Sequence, residues 1–353
     1  MASDAVSAPG AVAPGVDTPG AAAPSAFAPP ERIGLVGLGN MGGPMGRRLL
    51  AAGFPLVVAD ALAATADKFV AEAGAASSSA PDASASAAGK GAPASVERSS
   101  GPEAMARACR VVITMLPDGK IVREVLLGAN GLARHLAAGS VVIDMSSSSP
   151  VGTRELHADL AKLGIPLVDA PVSGGVKKAV DGSLAIMAGG DSATVERCRR
   201  VLEPMGKVFT TGGPGTGHAM KSMNNFLSAA NLAIAAEAVI AGQRFGLDPA
   251  TMISIFNAST GRNTGTDSKY PNNVLPRTFN SGFALGLMAK DLRLALEVAR
   301  ATDAPVELLE ACASIWAGAE KQLGGKADNT EVVKYLESLA PAAAPATTPA
   351  TKG

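Results

Sequence analysis

Short apolar runs alternate with amphipathic stretches through the first two thirds of the chain. Residues 33–36 (IGLV), 56–59 (LVVA), 111–115 (VVITM), 141–144 (VVID), 167–172 (LVDAPV), 184–188 (LAIMA) and 208–210 (VFT) read as strands. Stretches at 43–50, 118–127 and 153–163 carry helical character between them. Such alternation predicts a mostly parallel sheet covered on both faces. Ligands in such sheets lie beyond the carboxyl ends of the strands. That places residues 37–42, Leu116-Pro117, Ser146-Ser147 and Ser173-Gly174-Gly175 along one edge.

Past Gly212-Gly213-Pro214-Gly215 the period changes. Residues 218–245 form a nearly unbroken, Ala-rich helical pattern 28 residues long, which is about 42 Å of helix. Leu227, Leu232, Ile234, Val239 and Ile240 make it apolar, and such an element is normally buried by neighbours or by another subunit. Further helical segments follow at 249–257, 286–302, 305–321 and 330–339. The reading is an α/β doubly wound domain over 31–213 and an all-α domain, built on one long helix, over 214–339.

Three stretches fall outside this pattern: 1–30, 75–100 and 340–353, all rich in Ala, Pro, Ser or Gly. Ordering each residue costs roughly 1–2 kcal/mol, and side chains this small bury too little surface to offset it. They read as two disordered tails and a low-complexity insertion in a surface loop. The first 30 residues hold no Lys or Arg, so they match neither a secretory signal nor a transit peptide. The expected location is cytoplasmic.

Composition narrows the classes further. Lys plus Arg and Asp plus Glu both total 31, so nothing suggests a nucleic-acid or anionic-membrane surface. Aromatics are only 3%, which argues against base-stacking platforms. Cys109, Cys198 and Cys312 are far apart and form no Cys-x-x-Cys, so neither a disulfide framework nor a metal site is expected. His135, His157 and His218 lack ligand spacing and read as ordinary surface or core residues. No apolar run reaches the roughly 20 residues needed to span a bilayer.

The chemistry starts at the first strand. Gly37-Leu38-Gly39-Asn40-Met41-Gly42 sets a G-x-G-x-x-G spacing between that strand and a helix. Gly37 permits a tight turn, Gly39 lets backbone approach a pyrophosphate, and Gly42 lets helix pack on strand. The helix N-terminus offers N–H groups to the phosphates. Asp60 ends the next strand, 18 residues beyond Gly42, near the roughly 20 expected of a carboxylate that binds an adenosine ribose. A carboxylate there favours NAD over NADP, and Ala61 and Leu62 supply no arginine for a 2′-phosphate.

Five motifs in this order resemble the β-hydroxyacid dehydrogenase family, that of 3-hydroxyisobutyrate dehydrogenase. They are IGLVGLGNMGGPMGRRL, VVITMLPDG, DAPVSGGVKKAVDGSLAIMAGG, GHAMKSMNN and FALGLMAKDLRLA, spanning about 33–295. The resemblance implies a Rossmann domain, a 6-phosphogluconate dehydrogenase-like helical domain, and reversible NAD(P)-linked oxidation of a 3-hydroxy acid. It implies that Lys221 is the catalytic lysine, with Asn225 beside it. Ser173-Gly174-Gly175 match the substrate-carboxylate loop, Leu116, Pro117 and Ser147 match cofactor contacts, and Lys290 matches a lysine near the nicotinamide. Some relatives carry Asn where Ile121 stands, so one cofactor contact is expected to be missing. A homodimer or homotetramer is implied as well.

Hydride transfer needs a proton donor beside the growing oxyanion, or a base in the reverse direction. A desolvated lysine serves both, with its pKa drawn toward about 7–8. Lys221 lies inside a helix between Met220 and Met223, and Asn225 is one turn on, about 6 Å along the same face. Spacing alone leaves open a solvent-facing lysine. Two glycines after Ser173 leave consecutive N–H groups uncovered, which suits a carboxylate, although a plain strand-end turn has the same sequence. Lys290-Asp291 reads otherwise as a surface ion pair, and Arg262 as a further carboxylate ligand. The function expected is interconversion of a small 3-hydroxy acid and its semialdehyde, with Lys221 as general acid and base. Alternatives are a tartronate or succinic semialdehyde reductase, or a non-catalytic NAD-binding module.

Overall fold

The computed structural model describes residues 25–78 and 94–340. The tail at 340–353, past its first residue, and the insertion between 79 and 93 lie outside the described residues, as does most of the first tail.

In chain order the first domain runs β1 (Ile33–Val36), α1 (Gly42–Ala51), β2 (Leu56–Ala59), α2 (Ala63–Ser78), β3 (Val96–Arg98), α3 (Pro102–Ala108), β4 (Val111–Thr114), α4 (Gly119–Leu127), β5 (Val141–Asp144) and α5 (Pro150–Ala161). It continues through β6 (Leu167–Asp169), β7 (Val172–Ser173), α6 (Gly175–Asp181), β8 (Leu184–Gly189), α7 (Ser192–Leu202) and β9 (Gly206–Gly212). The second comprises α8 (Thr216–Phe245), α9 (Pro249–Ala258), a π-helix at Gly265–Val274, α10 (Leu285–Ala301), α11 (Glu307–Leu323) and α12 (Val332–Leu339).

The strands pair in the order β3-β2-β1-β4-β5-β6, all parallel, which is the doubly wound order that reverses between β1 and β4. β1, β4 and β5 are buried along their whole length, because helices cover both faces and alternation is not required there. The run expected as one strand at 167–172 is split at Ala170-Pro171. Proline has no N–H to give the ladder. Both halves pair antiparallel with β8 in one continuous register, Asp169 with Gly189 and Val172 with Ile186.

Two boundaries differ from the sequence reading. Phe27, expected in a tail, is buried at 4% exposure, and the Arg197 guanidinium stacks on its ring at 4.6 Å. Its amide donates to the Arg197 carbonyl at 3.0 Å. The expected insertion at 75–100 contains the end of α2 and all of β3, which pairs with β2 from Val96 to Arg98. Three mixed residues beside low-complexity chain give no apolar signal, so only an edge strand's backbone pairing makes β3.

Side chains start several helices: Asp118 caps α4, Ser149 caps α5, Asp191 caps α7 and Asp248 caps α9. No side chain caps α1. α8 is 30 residues long, about 45 Å. It meets the length and composition of a membrane-crossing helix, although its apolar residues form no unbroken run. Leu232, Val239 and its buried alanines pack with Trp316, Leu292 and Val333 in the core of the second domain. Leu227 and Ile234, expected to be buried, are 61% and 55% exposed.

Candidate active site

The glycine loop lies at the β1/β4 reversal. Gly37 has φ +97°, and a Cβ on it would stand 2.3 Å from the Met115 carbonyl oxygen. A Cβ on Gly42 would stand 2.0 Å from the Gly37 oxygen, so the loop and α1 close on each other only without side chains. Around Gly39 the space is open, with nothing within 4 Å of where a Cβ would point. Leu38, Asn40 and Met41 complete a loop that ends at the uncapped α1. Asp60 is fixed beside it by amides, accepting from Leu38 at 2.8 Å and from Leu62 at 3.0 Å. A close approach of backbone, an open face, a helix start with no side-chain cap and a carboxylate at the end of β2 together fit a dinucleotide. Bound there, it supplies or receives the hydride.

Beyond β4 and β5 the loops are tied together. Leu116 N donates to Ser146 Oγ at 2.9 Å. Asp144 is 1% exposed and accepts from Thr114 Oγ1, Ser146 N and Ser148 Oγ. Lys290 reaches across from α10 and donates to the carbonyls of Pro117, at 3.0 Å, and Ser147, at 2.9 Å. This is no surface ion pair. Burial holds its pKa below the usual lysine value, against the opposing pull of Asp291, Asp118 and Asp144. Ile121 stands on α4, half exposed, and brings no polar group to the site.

Asp291, next along α10, is 2% exposed. It accepts from Ser147 Oγ at 2.6 Å and from Asn225 Nδ2 at 2.5 Å. Asn225 Oδ1 in turn accepts from Asn224 Nδ2 at 3.2 Å. Lys221, one turn before Asn225, makes no hydrogen bond or ion pair among the described residues. Burial pushes its pKa down; the Asp291 carboxylate opposes this and the Lys290 ammonium adds to it. An amine in that state gives up its proton more readily than an exposed lysine and can exchange it with a substrate oxygen. Hydrogen bonds therefore join Asn225, Ser147 and Lys290 around Asp291, and the charges of Asp291 and Lys290 act on the Lys221 amine.

What fixes the start of α8 is a buried set of polar groups that the sequence reading missed. Asp169, 1% exposed at the end of β6, accepts from the amides of Gly215 and His218, each at 2.9 Å. It caps the helix from another strand. The His218 ring lies 3.7 Å from both Asp144 and Asp169 and meets Thr153 Oγ1 and the Ser146 carbonyl. Burial raises the Asp169 pKa, against the lowering by His218 and the two amides. His218, expected to be an ordinary residue, joins both acidic strand ends. A conspicuous signal was available: Asp144 and Asp169 each end a hydrophobic strand.

Ser173 ends β7 and Gly175 opens α6, with φ +136° at Gly174 and +69° at Gly175. Nothing stands within 4 Å of a Cβ on Gly175, and the Ser173 hydroxyl has no partner among the described residues. Arg262 pairs with Asp267 at 3.0 Å on an exposed surface, so its guanidinium is engaged and the expectation of a carboxylate ligand is not supported. A cavity of about 480 Å³, lined by Ser100, Glu103, Arg107, Asn130 and His135, includes none of these site residues.

Residues 32–213 match the NAD binding domain of 6-phosphogluconate dehydrogenase, and residues 215–336 match the NAD-binding domain of NADP-dependent 3-hydroxyisobutyrate dehydrogenase. The chain is 34% identical to 2-(hydroxymethyl)glutarate dehydrogenase of Eubacterium barkeri, covering 87% of this chain and 95% of that one. The chain belongs to the β-hydroxyacid dehydrogenase family. The enzyme is also 32% identical to 3-sulfolactaldehyde reductase of Escherichia coli, over 86% of its own length and 95% of the relative's. Its fold matches 3-hydroxyisobutyrate dehydrogenase of Mycobacterium tuberculosis, solved with L-serine, at TM-score 0.75 and 33% identity. That match covers 87% of this chain and 99% of the other. It is an NAD(P)-binding oxidoreductase acting on CH–OH groups, and the doubly wound domain followed by a helical one is the family's architecture.

Proposed function

We propose that the enzyme interconverts a small 3-hydroxy carboxylic acid, of the 3-hydroxyisobutyrate type, and its semialdehyde, with NAD preferred. The observation that supports this is the desolvated Lys221 amine, unbonded among the described residues and one turn before Asn225, whose amide shares Asp291 with Ser147. In oxidation the Lys221 amine removes the hydroxyl proton as the carbinol hydride leaves. In reduction its ammonium returns a proton to the carbonyl oxygen, so no oxyanion accumulates. Asn225, with one N–H on Asp291, has a second to offer the same oxygen. Ser173, Gly174 and Gly175 hold the carboxylate. Leu116, Pro117 and Ser147 line the cofactor, and Lys290 fixes those loops from behind. Asp60 binds the ribose.

A tartronate or succinic semialdehyde reductase is the second reading, supported by relatives named for differing substrates on one architecture. Met220, Leu227 and Ile234, seven apart on one face of α8, are 51%, 61% and 55% exposed. That stripe supports a homodimer or homotetramer. We place the enzyme in the cytoplasm, with no nucleic-acid or membrane partner. NADH production over a panel of hydroxyacids tests the assignment. Oxidation of at least one 3-hydroxy acid is expected, with Lys221→Ala losing roughly 10²–10⁴-fold in turnover while NADH binding persists. Wild-type turnover in Lys221→Ala refutes the mechanism, and binding of NADH without any turnover leaves a non-catalytic module.

A further inference from the structure

We infer that Asp291 is the positioning residue of this site: one buried carboxylate that fixes the Asn225 amide and the Ser147 hydroxyl and faces the Lys221 amine with the opposing charge. The inference rests on the proton-exchange reading of Lys221. Asp291 binds one group from each domain, Ser147 from the loop after β5 and Asn225 from α8. Both are donors, so two carboxylate oxygens satisfy them together, whereas a carboxamide has one acceptor and satisfies only one by its oxygen. With Nδ2 held by Asp291 and Oδ1 held by Asn224, the Asn225 amide has a single orientation. Lys290, the preceding residue, holds the Ser147 carbonyl while Asp291 holds its hydroxyl. Two adjacent residues of α10 thus grip both ends of one serine in the cofactor loop.

The charge has its own effect. The ionised groups acting on Lys221 are Asp291 and Lys290, both from α10. Asp144 and Asp169, at the ends of β5 and β6, face His218 instead. On the π-helix, Asp267 is paired with Arg262 and Lys269 meets Asn329. Farther along α10, Glu297 accepts from Ser149. Asp291 is therefore the negative charge that opposes the effect of burial on Lys221, and without it the amine loses its proton at lower pH.

The test is the pH dependence of Lys221 acetylation by trace acetic anhydride on cofactor-free protein, read by mass spectrometry. In Asp291→Asn the midpoint is expected to fall by about one pH unit or more. The acid limb of kcat/KM for hydroxyacid oxidation is expected to move the same way, and kcat to drop on the order of 10²-fold as Asn225 loses its fixed orientation. Ser147→Ala keeps the charge and is expected to leave the labelling midpoint in place while raising KM for NAD. Asp291→Glu likewise keeps the charge, and is the variant to use if Asp291→Asn does not fold; its midpoint should stay near that of the wild type while kcat falls. An unmoved midpoint in Asp291→Asn overturns the inference, as does a Ser147→Ala midpoint that moves equally, or wild-type kcat in both Asp291 variants. Absence of hydroxyacid oxidation by the wild type strikes the parent reading instead, and the labelling result still reports on Asp291.

Discussion

His218 donates its backbone N–H to Asp169 at 2.9 Å, and its ring stands 3.7 Å from the same carboxylate. One side chain at the end of β6 thus both caps α8 and neighbours the imidazole that follows the cap. Removing that carboxylate leaves the buried Gly215 and His218 amides without their acceptor. Asp169→Ala is expected to cost about 1–3 kcal/mol for each amide left unpaired, read as a fall in Tm. Asp169→Asn, which keeps an oxygen for one amide, should cost less. Equal Tm for Asp169→Ala and wild type would show that α8 is held by its apolar face alone.

Activity should follow the protonation of Lys221. Its pKa lies below the ordinary lysine value because burial penalises the ammonium. The oxidation rate is therefore expected to rise with pH through a midpoint below 10.5, as the neutral base forms. The reduction rate should fall over the same range, since it draws on the ammonium. Lys221→Arg, charged at all accessible pH, is expected to abolish both limbs. A profile in which oxidation is flat from pH 6 to about 10 would remove Lys221 from the proton path.

Two glycines of one loop should fail differently. Ala at position 42 brings a Cβ to 2.0 Å from a backbone oxygen, and overpacking of this kind costs about 1–3 kcal/mol. Gly42→Ala is expected to lower Tm. Gly39 faces open space, so Gly39→Ala should leave Tm unchanged while weakening NADH about tenfold or more, measured by fluorescence titration. Unchanged NADH affinity in Gly39→Ala would move the pyrophosphate elsewhere.

Cofactor preference turns on Asp60. Asp60→Asn combined with Ala61→Arg removes a charge that repels a 2′-phosphate and supplies one that binds it. The ratio of kcat/KM for NADP over NAD is expected to rise about tenfold or more. Steady-state kinetics with both cofactors decide it, and a constant ratio would release Asp60 from the role.

Lys269 on the π-helix offers a separate stability test. Burial lowers its pKa to about 8, and among the described residues its only hydrogen bond is a long one, 3.4 Å, to Asn329. Between about 8 and 10.5 the unfolded chain binds this proton and the folded chain does not, so stability rises with pH across that window. Below it the penalty is complete. Lys269→Met is expected to raise Tm at pH 7 by a few degrees, about 1 kcal/mol, and to flatten that rise. Parallel curves for variant and wild type would mean the amine is solvated.

The legible parts of this molecule were those written in contiguous residues. Strands β1, β4 and β5 are continuous apolar runs, and the glycine loop, Lys221 with Asn225, and Ser173-Gly174-Gly175 are local motifs. The structure places the loop at the sheet reversal and Lys221 on α8, one turn before Asn225. The illegible parts were made by distance. Asp291 lies 66 residues from Asn225 and 144 from Ser147, so nothing beside it in the chain distinguishes it from a surface acid. The same holds for His218, whose partners come from β5 and β6. The π-helix is hidden for another reason: Pro271 and its polar residues carry no period that favours a helix. Arg262 shows the converse error, since its partner Asp267 was only five residues away and the short-range pairing was passed over.

Phe27 also sets a practical limit on shortening the enzyme. Trimming to Arg32, where the strand pattern begins, strips an aromatic plug from α7 and leaves Arg197 with neither its ring nor its backbone partner. A tag fused ahead of residue 25 keeps that anchor seated. The minimal nucleotide-binding unit therefore starts upstream of its first strand.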